Sequence, residues 1–493
     1  MILLALGLVT LACIGLIALS KTNRQMNAVS IAHGLIFTII TAAILAAMDI
    51  PVGTFLVGNQ YFFIDHLAAF EVLIASVIFT LAAVYAGGYV ESLLSSGELE
   101  KGSQKLFYTL WSLLLLIIVL AFFADNLALF WIFAEMTTIA SAMLVAILAA
   151  RENIDAALKY IFIASTSMLL SFVGYIFLFE TSRSALGEGS LNWTVLLAHA
   201  PGFPAGMMLA SFALVFIGFA AKSGIFPFHT WLPEAHAKAP SAVSAVLSAV
   251  LLNVGIYAIL RMVALVHRTN AMPAVSTMLV LFGALTIGIA AVSMLPQKNL
   301  KKLIAFSSIE NMGLMLVGIA VATPVAIFWV LFHVMAHSFT KASLFFSAGI
   351  LHRQYHSRFS GDAPDEIRDV FSLQPLAAWG ILIGGLAIIG LPFSPVFFSK
   401  LFILLQVGTV SMEVLFILLV LLFVAAAGLG YFVITAFTRV SQPGDSPLNE
   451  PYRTPGGMKI PVVILLVLII AMGIFLPGGE IVFFSQMVTE LGF

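Results

Sequence analysis

Long apolar stretches alternate with short polar ones along almost the whole chain. Stretches of about 20 apolar residues recur as far as residue 476, and an α-helix of that length crosses the hydrocarbon core of a bilayer. A helix also satisfies its backbone hydrogen bonds internally, as a segment surrounded by lipid must. The pattern therefore predicts an all-α integral membrane protein with about fourteen transmembrane helices.

These predicted helices are called spans 1 to 14 in chain order. They cover approximately residues 1–20, 28–48, 66–90, 106–124, 127–150, 154–180, 205–226, 241–265, 273–295, 302–321, 324–351, 373–391, 412–438 and 459–476. Span 12 continues after an interruption to about residue 408. The composition agrees, since 61% of the 493 residues are hydrophobic and only 9% are charged, whereas soluble domains have about 25% charged residues.

The sequence offers no ligands for an electron-transfer centre. Its single cysteine, Cys13, lies in span 1, and an iron–sulfur cluster needs about four ligands, most of them cysteines. The sequence also has no CxxC, GxGxxG or Walker A motif, the signatures of redox, dinucleotide and nucleotide sites. We therefore expect no cofactor, no metal and no redox chemistry in this chain.

The basic residues are distributed unevenly between the two sides of the membrane that fourteen spans define. One side holds 16 of the 22 and the other only three, Arg183, Arg261 and Arg268. Loops rich in lysine and arginine stay on the cytoplasmic side, so we predict that the 16 are cytoplasmic and that both termini face outward. The predicted cytoplasmic residues are Lys21, Arg24, Lys101, Lys105, Arg151, Lys159, Lys238, Lys298, Lys301, Lys302, Arg353, Arg358, Arg368, Arg439, Arg453 and Lys459.

Three lysines and two glutamates fall well inside predicted spans. They are Lys222, Lys341, Lys400, Glu135 and Glu310. A charge at the centre of a bilayer costs about 3 kcal/mol on insertion scales, and such charges usually mark ion pathways. A purely structural ion pair is the alternative for each of them. Glu71, near the start of span 3, we assign to the membrane interface.

Two of the lysines lie beside helix-breaking residues. "KSGIFPFH" begins with Lys222 in span 7, and "GLPFSPVFFSK" ends with Lys400 in span 12. Paired Gly/Pro-interrupted helices in two inverted halves point to an ion path, because the interruption frees polar backbone groups that line a cavity. Glu135 and Glu310 support such an inversion, since each lies about eight residues into its span and spans 5 and 10 run in opposite directions.

Span 11 contains "FHVMAHSFTKASLFF", a row of titratable groups. His333, His337 and Lys341 follow one another at intervals of four residues, which places them on one face of a helix. Imidazole accepts and donates protons near neutral pH, so the row suits proton transfer. Histidines that only pack between helices are the alternative, and a metal site would lack a third ligand nearby.

These segments resemble a known family. "KSGIFPFHTWLPEAHAKAPSAVSA", "FHVMAHSFTKASLFF" and "GLPFSPVFFSK" look like the signature segments of the antiporter-like membrane subunits. Such subunits occur in complex I (NADH:quinone oxidoreductase), in membrane-bound nickel–iron hydrogenases and in multisubunit Mrp-type cation/proton antiporters. The resemblance covers spans 4–13, residues 106–438, and Glu310 within "SSIENMG" looks most like the hydrogenase-4 and formate hydrogenlyase branch. It implies two inverted five-helix repeats, broken spans 7 and 12, and a proton path along a central polar axis.

The resemblance also implies roles for individual residues. By position, Glu135 corresponds to the family's glutamate in span 5. Lys222 corresponds to the lysine in span 7 with which that glutamate pairs. The connecting residues of span 11 and the span 12 lysine are His333, His337, Lys341 and Lys400. Members often carry a lysine or histidine in span 8, where this chain offers only Ser248 and Asn253. A neutral amide can orient water but cannot hold a proton, so Asn253 enters the predicted path only as a bridging residue.

We therefore expect a non-redox, proton-translocating membrane subunit of a respiratory hydrogenase or complex I-like oxidoreductase, in a bacterial or archaeal cytoplasmic membrane. Its partners would be the other membrane and peripheral subunits. Two alternatives stay open: a subunit of a cation/proton antiporter moving protons or Na⁺, and a scaffold subunit that has lost pumping. The expected divisions are spans 1–3 (1–105), the first repeat (106–265), the second repeat (266–438), and the last span with a short tail (439–493).

Overall fold

The computed structural model describes residues 2–48, 55–56, 61–148, 150–355, 367–439, 451–475 and 478–493. Thirteen helices within these ranges are long and apolar enough to cross a membrane. Two shorter apolar helices, Pro375–Ile389 and Pro395–Val410, lie where span 12 was predicted. The prediction of an all-α membrane protein is therefore confirmed. Arg358, which contributed to the topology prediction, lies outside the described residues.

The helices are numbered α1 to α20. The first eleven are α1 (Ile2–Leu19), α2 (Asn23–Met48), α3 (His66–Ser95), α4 (Ser103–Phe122), α5 (Leu127–Val145), α6 (Arg151–Leu186), α7 (Trp193–His199), α8 (Ala205–Lys222), α9 (Trp231–Lys238), α10 (Ser241–Val246) and α11 (Leu252–His267). The others are α12 (Met272–Met294), α13 (Leu300–Val321), α14 (Pro324–Gln354), α15 (Val370–Leu373), α16 (Pro375–Ile389), α17 (Pro395–Val410), α18 (Met412–Thr438), α19 (Gly456–Ile474) and α20 (Gly478–Leu491). Two short strands, β1 (Phe55–Leu56) and β2 (Phe63–Ile64), pair antiparallel before α3.

Spans 7 and 12 are both broken, as predicted. α8 ends at Lys222 and α16 ends at Ile389, and each is followed by a glycine with positive φ, Gly224 (66°) and Gly390 (94°). In both breaks the glycine N–H donates three residues back and the next N–H donates five residues back. This is the Schellman motif, which satisfies carbonyl groups at a helix end and requires a left-handed residue that only glycine adopts easily.

Helix neighbours in the first half of the chain recur in the second half. α4 packs on α5, α5 on α6, α6 on α8, and α8 on α11. In the same order, α12 packs on α13, α13 on α14, α14 on the pair α16 and α17, and that pair on α18. This repetition is what two copies of one five-span arrangement would produce.

The last span of the first half is the most deeply buried of the membrane-spanning helices that the structure describes. Every residue from Ser241 to Val266 is buried. This segment was predicted as one regular helix, but a π-helical turn, Leu247–Leu251, separates α10 from α11. α3 and α14 pack against the turn. Turns of this type loosen the regular backbone bonding and often occur at functional sites.

Candidate functional site

The eight residues of the predicted proton path lie on six helices. They are Glu135 on α5, Lys222 on α8, Asn253 on α11, Glu310 on α13, His333, His337 and Lys341 on α14, and Lys400 on α17. All but Glu135, which is half-buried, are buried in the protein rather than exposed to lipid. They form local hydrogen-bonded groups instead of one continuous chain.

The first group lies in the first half of the protein. The Lys222 Nζ atom, whose residue is 1% exposed, donates to the Thr138 hydroxyl at 2.9 Å. Thr138 lies one turn after Glu135 on α5, and one Glu135 oxygen accepts a hydrogen bond from the Ser165 hydroxyl of α6. The other Glu135 oxygen has no hydrogen-bond partner in the described chain. The predicted pair of Glu135 and Lys222 is therefore not in direct contact, because Thr138 holds the lysine.

The second group contains a closed ion pair. Lys400 Nζ lies 2.9 Å from one Glu310 oxygen, and the two side chains are only 9% and 4% exposed. The other Glu310 oxygen accepts from the Asn311 amide at 2.6 Å. A buried ion pair needs such further hydrogen bonds, since removing two charges from water is costly.

His333 joins this second group and His337 lies beside it. The Asn311 carbonyl oxygen can only accept, so His333 Nε2 donates to it at 3.0 Å, and His333 Nδ1 is hydrogen-bonded to the Ser399 hydroxyl at 2.7 Å. Both ring nitrogens of His333 are therefore engaged, which fixes the orientation of the ring. The His337 ring is stacked at 6.3 Å from it, and neither His337 nitrogen is hydrogen-bonded to any residue that the structure describes.

Lys341 is held by neutral groups of α13. Its Nζ atom donates to the Ile304 carbonyl at 2.8 Å and to the Ser307 hydroxyl. The ion pairs found among the described residues do not include Lys341 or Lys222. Both lysines therefore donate only to neutral polar groups, whereas Lys400 contacts a carboxylate.

Asn253 lies at the junction between the halves. Its amide nitrogen donates to the Ala249 carbonyl at 3.2 Å, to Ser338 at 3.1 Å and to a Glu71 oxygen at 3.3 Å. Ser338 directly follows His337, so Asn253 contacts the helix that carries the histidine row. Ser248, the other span 8 residue named from the sequence, is hydrogen-bonded to Ser308 of α13 at 2.8 Å. The assignment of Glu71 to the membrane interface was wrong, because α3 packs in the centre and buries Glu71 to 3% exposure.

A polar cleft opens on the side predicted to be cytoplasmic. It has a volume of about 770 Å³. Its charged lining residues include Glu152, Lys159, Glu234, Lys238, Lys301 and Lys302. All four of these lysines belong to the set that the charge distribution assigned to one side of the membrane.

The sequence matches the family described as "NADH:quinone oxidoreductase/Mrp antiporter, TM" over residues 124–429. That range contains both broken helices and all eight predicted path residues. The chain belongs to this family. The predicted resemblance to antiporter-like membrane subunits is therefore confirmed.

The proteins to which this chain is similar in sequence include hydrogenase and NADH-quinone oxidoreductase subunits, and solved structures share its fold. The Hydrogenase-4 component F homolog of Methylacidiphilum infernorum (isolate V4) is 29% identical over 434 residues, 87% of this chain and 88% of that protein. A chain of the archaeal membrane-bound sulfane sulfur reductase superposes with a TM-score of 0.85 at 23% identity, covering 99% of this chain and 96% of that one. A chain of respiratory complex I from Thermus thermophilus superposes with a TM-score of 0.81 at 20% identity, covering 100% and 99%.

Proposed function

We propose that this chain is a non-redox, proton-translocating membrane subunit of a respiratory hydrogenase or complex I-like oxidoreductase. The observation that carries the proposal is the set of buried titratable side chains from Lys222 to Lys400, arranged in two halves around a polar junction. Placing ionisable side chains inside a membrane costs free energy, and such side chains usually mark paths along which protons or ions move. The family membership and the hydrogenase-4 relative favour an oxidoreductase complex as the setting.

The proposed mechanism is opening and closing of ion pairs. In the structure Lys222 contacts a hydroxyl and Glu135 contacts another hydroxyl, so the first pair is open. Lys400 contacts Glu310, so the second pair is closed. Electron transfer in partner subunits would change the charge near Glu135. A lysine whose carboxylate leaves releases its proton more readily, and the proton would pass from Lys222 through Lys341 and the histidines toward Lys400.

The predicted membrane topology and the predicted division of the chain into two repeats are part of this proposal. Both termini would face outward and the polar cleft would open to the cytoplasm, where it would admit protons. The two repeats would comprise residues 106–265 and 266–438, preceded by 1–105 and followed by 439–493. The recurring order of helix neighbours supports this division.

The proposed topology is tested by labelling a cysteine at an exposed loop position. A Lys298→Cys variant in a Cys13→Ser background should react with an impermeant maleimide only from the cytoplasmic side.

The test uses the native complex, purified through this chain and reconstituted in proteoliposomes. We expect Lys222→Met to abolish proton uptake coupled to electron transfer while the complex remains assembled, because the buried ammonium group carries the proton. Lys298→Met, which removes an exposed lysine from a loop, is the matched control and should pump normally. Wild-type uptake in Lys222→Met would reject the proposal.

The second candidate is a subunit of a cation/proton antiporter, because the matched family also includes Mrp antiporters. The same purification separates the two. Co-purifying hydrogenase or dehydrogenase subunits favour the oxidoreductase. Transport that runs on a Na⁺ gradient without an electron donor would instead favour the antiporter.

A further inference from the structure

Glu71 is a buried carboxylate that the predicted path does not use. It lies on α3, six residues after Asp65, and is 3% exposed. Its hydrogen bond comes from the neutral Asn253 amide at 3.3 Å. The ion pairs formed by described residues do not include Glu71. Burying a carboxylate without a counter-ion is costly, and protonation removes that cost.

The surroundings of Glu71 have unused hydrogen-bonding capacity. Asn253 Oδ1 and both nitrogens of His337 are buried without a partner in the part of the chain that the structure describes. Asn253 also contacts the helix that carries His337, because its amide donates to Ser338, the residue after His337. Buried polar groups of this kind are usually satisfied by ordered water. His337 and Glu71 therefore lie on α14 and α3, the two helices that the Asn253 amide bridges.

A polar column leads from this junction toward the side predicted to be outside. Asn253, Tyr257 and Arg261 are spaced four residues apart on α11, so they share one helix face. The Tyr257 hydroxyl donates to the Phe122 carbonyl at 2.9 Å and accepts from Arg261 Nη2 at 2.9 Å. Arg261 in turn is bound to Asp65 at 2.7 Å.

The outer end of the column contains room for water. A cavity of about 10 Å³ is lined by Asp125, Tyr257 and Arg261, among others. That volume accommodates roughly one water molecule, and these side chains provide several polar partners for it. The column does not include Lys400 or Glu310, so it is separate from the route through the second half.

We propose that Glu71 holds a proton at the junction and opens a second exit along the Tyr257–Arg261 column. This proposal rests on the proposed function. A proton on His337 passes through water positioned by Asn253 to the Glu71 carboxylate, which leaves a neutral imidazole and a neutral carboxylic acid. Glu71 then gives the proton to water on its Tyr257 side and becomes a carboxylate again. The Asp65–Arg261 pair closes the outer end between these events.

The experiment measures proton uptake by the intact complex in proteoliposomes with Glu71→Gln. Glutamine keeps the volume and the acceptor for Asn253 but cannot carry a proton, so we expect coupled uptake to fall below that of the wild type by the share that leaves through this exit. Glu188→Gln, which changes an exposed glutamate between α6 and α7, is the matched control and should behave as wild type. Turnover-induced infrared difference spectra should show a protonated-carboxyl band that Glu71→Gln removes and Glu188→Gln keeps.

A second variant keeps the proposal falsifiable if Glu71→Gln does not assemble. Tyr257→Phe retains the ring that packs on Phe122 and Phe130 and removes only the hydroxyl, so it should also lower uptake. Wild-type uptake in Tyr257→Phe, or in an assembled Glu71→Gln complex, overturns this exit while Lys222→Met still abolishes pumping. If Lys222→Met also pumps normally, the proposed function itself has failed.

Discussion

The two halves of the protein carry the same chemical groups in different states of contact. Each half has a glutamate on one helix and a lysine beside a broken helix. In the second half Glu310 and Lys400 touch at 2.9 Å. In the first half Lys222 is held by Thr138 and Glu135 is held by Ser165. One structure thus shows a closed ion pair and an open one together.

The position of each lysine relative to its helix break explains part of this difference. Lys222 is the last residue of α8, where the carbonyl end of the helix dipole stabilises a cation by up to about 2 kcal/mol in partly buried sites. It can therefore stand without a carboxylate. Lys400 lies inside α17 as its sixth residue, counted from Pro395, so it has no such support. Lys400 needs Glu310, whereas Lys222 is free to exchange partners.

The largest expected effect concerns the closed pair. Glu310→Gln leaves the buried Lys400 charge without a partner, which should lower the free energy of unfolding by about 3–5 kcal/mol. Glu135→Gln should lower it by about 1 kcal/mol or less, because Glu135 contacts only a hydroxyl and glutamine still accepts that bond. Both are measured by reversible unfolding of the purified protein in detergent. Equal losses would show that the halves do not differ.

Double-mutant cycles sharpen the same contrast. The coupling energy between Glu310→Gln and Lys400→Met should reach about 3 kcal/mol, because the two side chains interact directly. The cycle of Glu135→Gln and Lys222→Met should give less than about 1 kcal/mol in the same unfolding measurement. A first-half coupling as large as the second would mean that Glu135 and Lys222 form an ion pair in solution.

Thr138 tests how the open state is held. Thr138→Val removes the hydroxyl that Lys222 contacts at nearly constant volume, and a hydrogen bond to a charged group contributes about 1.5–3 kcal/mol. We therefore expect the free energy of unfolding to fall by about 1.5–3 kcal/mol, and we expect Lys222 to move toward Glu135. A crystal or cryo-microscopy structure of the variant would show the closed first pair. Unchanged stability would indicate that Lys222 has another acceptor.

Asn253 tests the junction between the halves, and its substitution is measured by pumping rather than by stability. Asn253→Leu keeps the volume and removes the bonds to Glu71 and Ser338, so pumping should slow several-fold without unfolding. Asn253→Lys should pump better than leucine, because an ammonium group at this position can itself carry a proton. Uptake in proteoliposomes compares the two variants. If leucine pumps like wild type, protons do not cross at this point.

Local chemistry explains which parts could be predicted from the sequence. The lengths of the spans follow from hydropathy, which is a property of each segment alone. The break after Lys222 follows from Gly224, since a left-handed helix end needs glycine wherever the helix packs. The π-helical turn at Leu247–Leu251 was missed because its residues, LSAVL, are ordinary helix formers. It forms where α3 and α14 pack against it.

The partners of the charged groups could not be predicted in the same way. Thr138, Ser165 and Ser399 are hydroxyl residues, and a hydroxyl in a helix can bond its own backbone as easily as a neighbouring helix. Which of these occurs depends on how each helix is rotated against the next. Asn311, next to Glu310, links that carboxylate to His333 for the same reason.

The sequence by itself therefore determined the membrane class, the two broken helices and the burial of Lys222, Lys341 and Lys400, because the cost of placing each in lipid depends on single residues. Only the tertiary structure decided that Lys400 is paired and Lys222 is not. It also placed Glu71 in the centre beside Asn253. Contacts between helices distant in the chain depend on how the two helices pack together, so the sequence of either segment alone does not determine them.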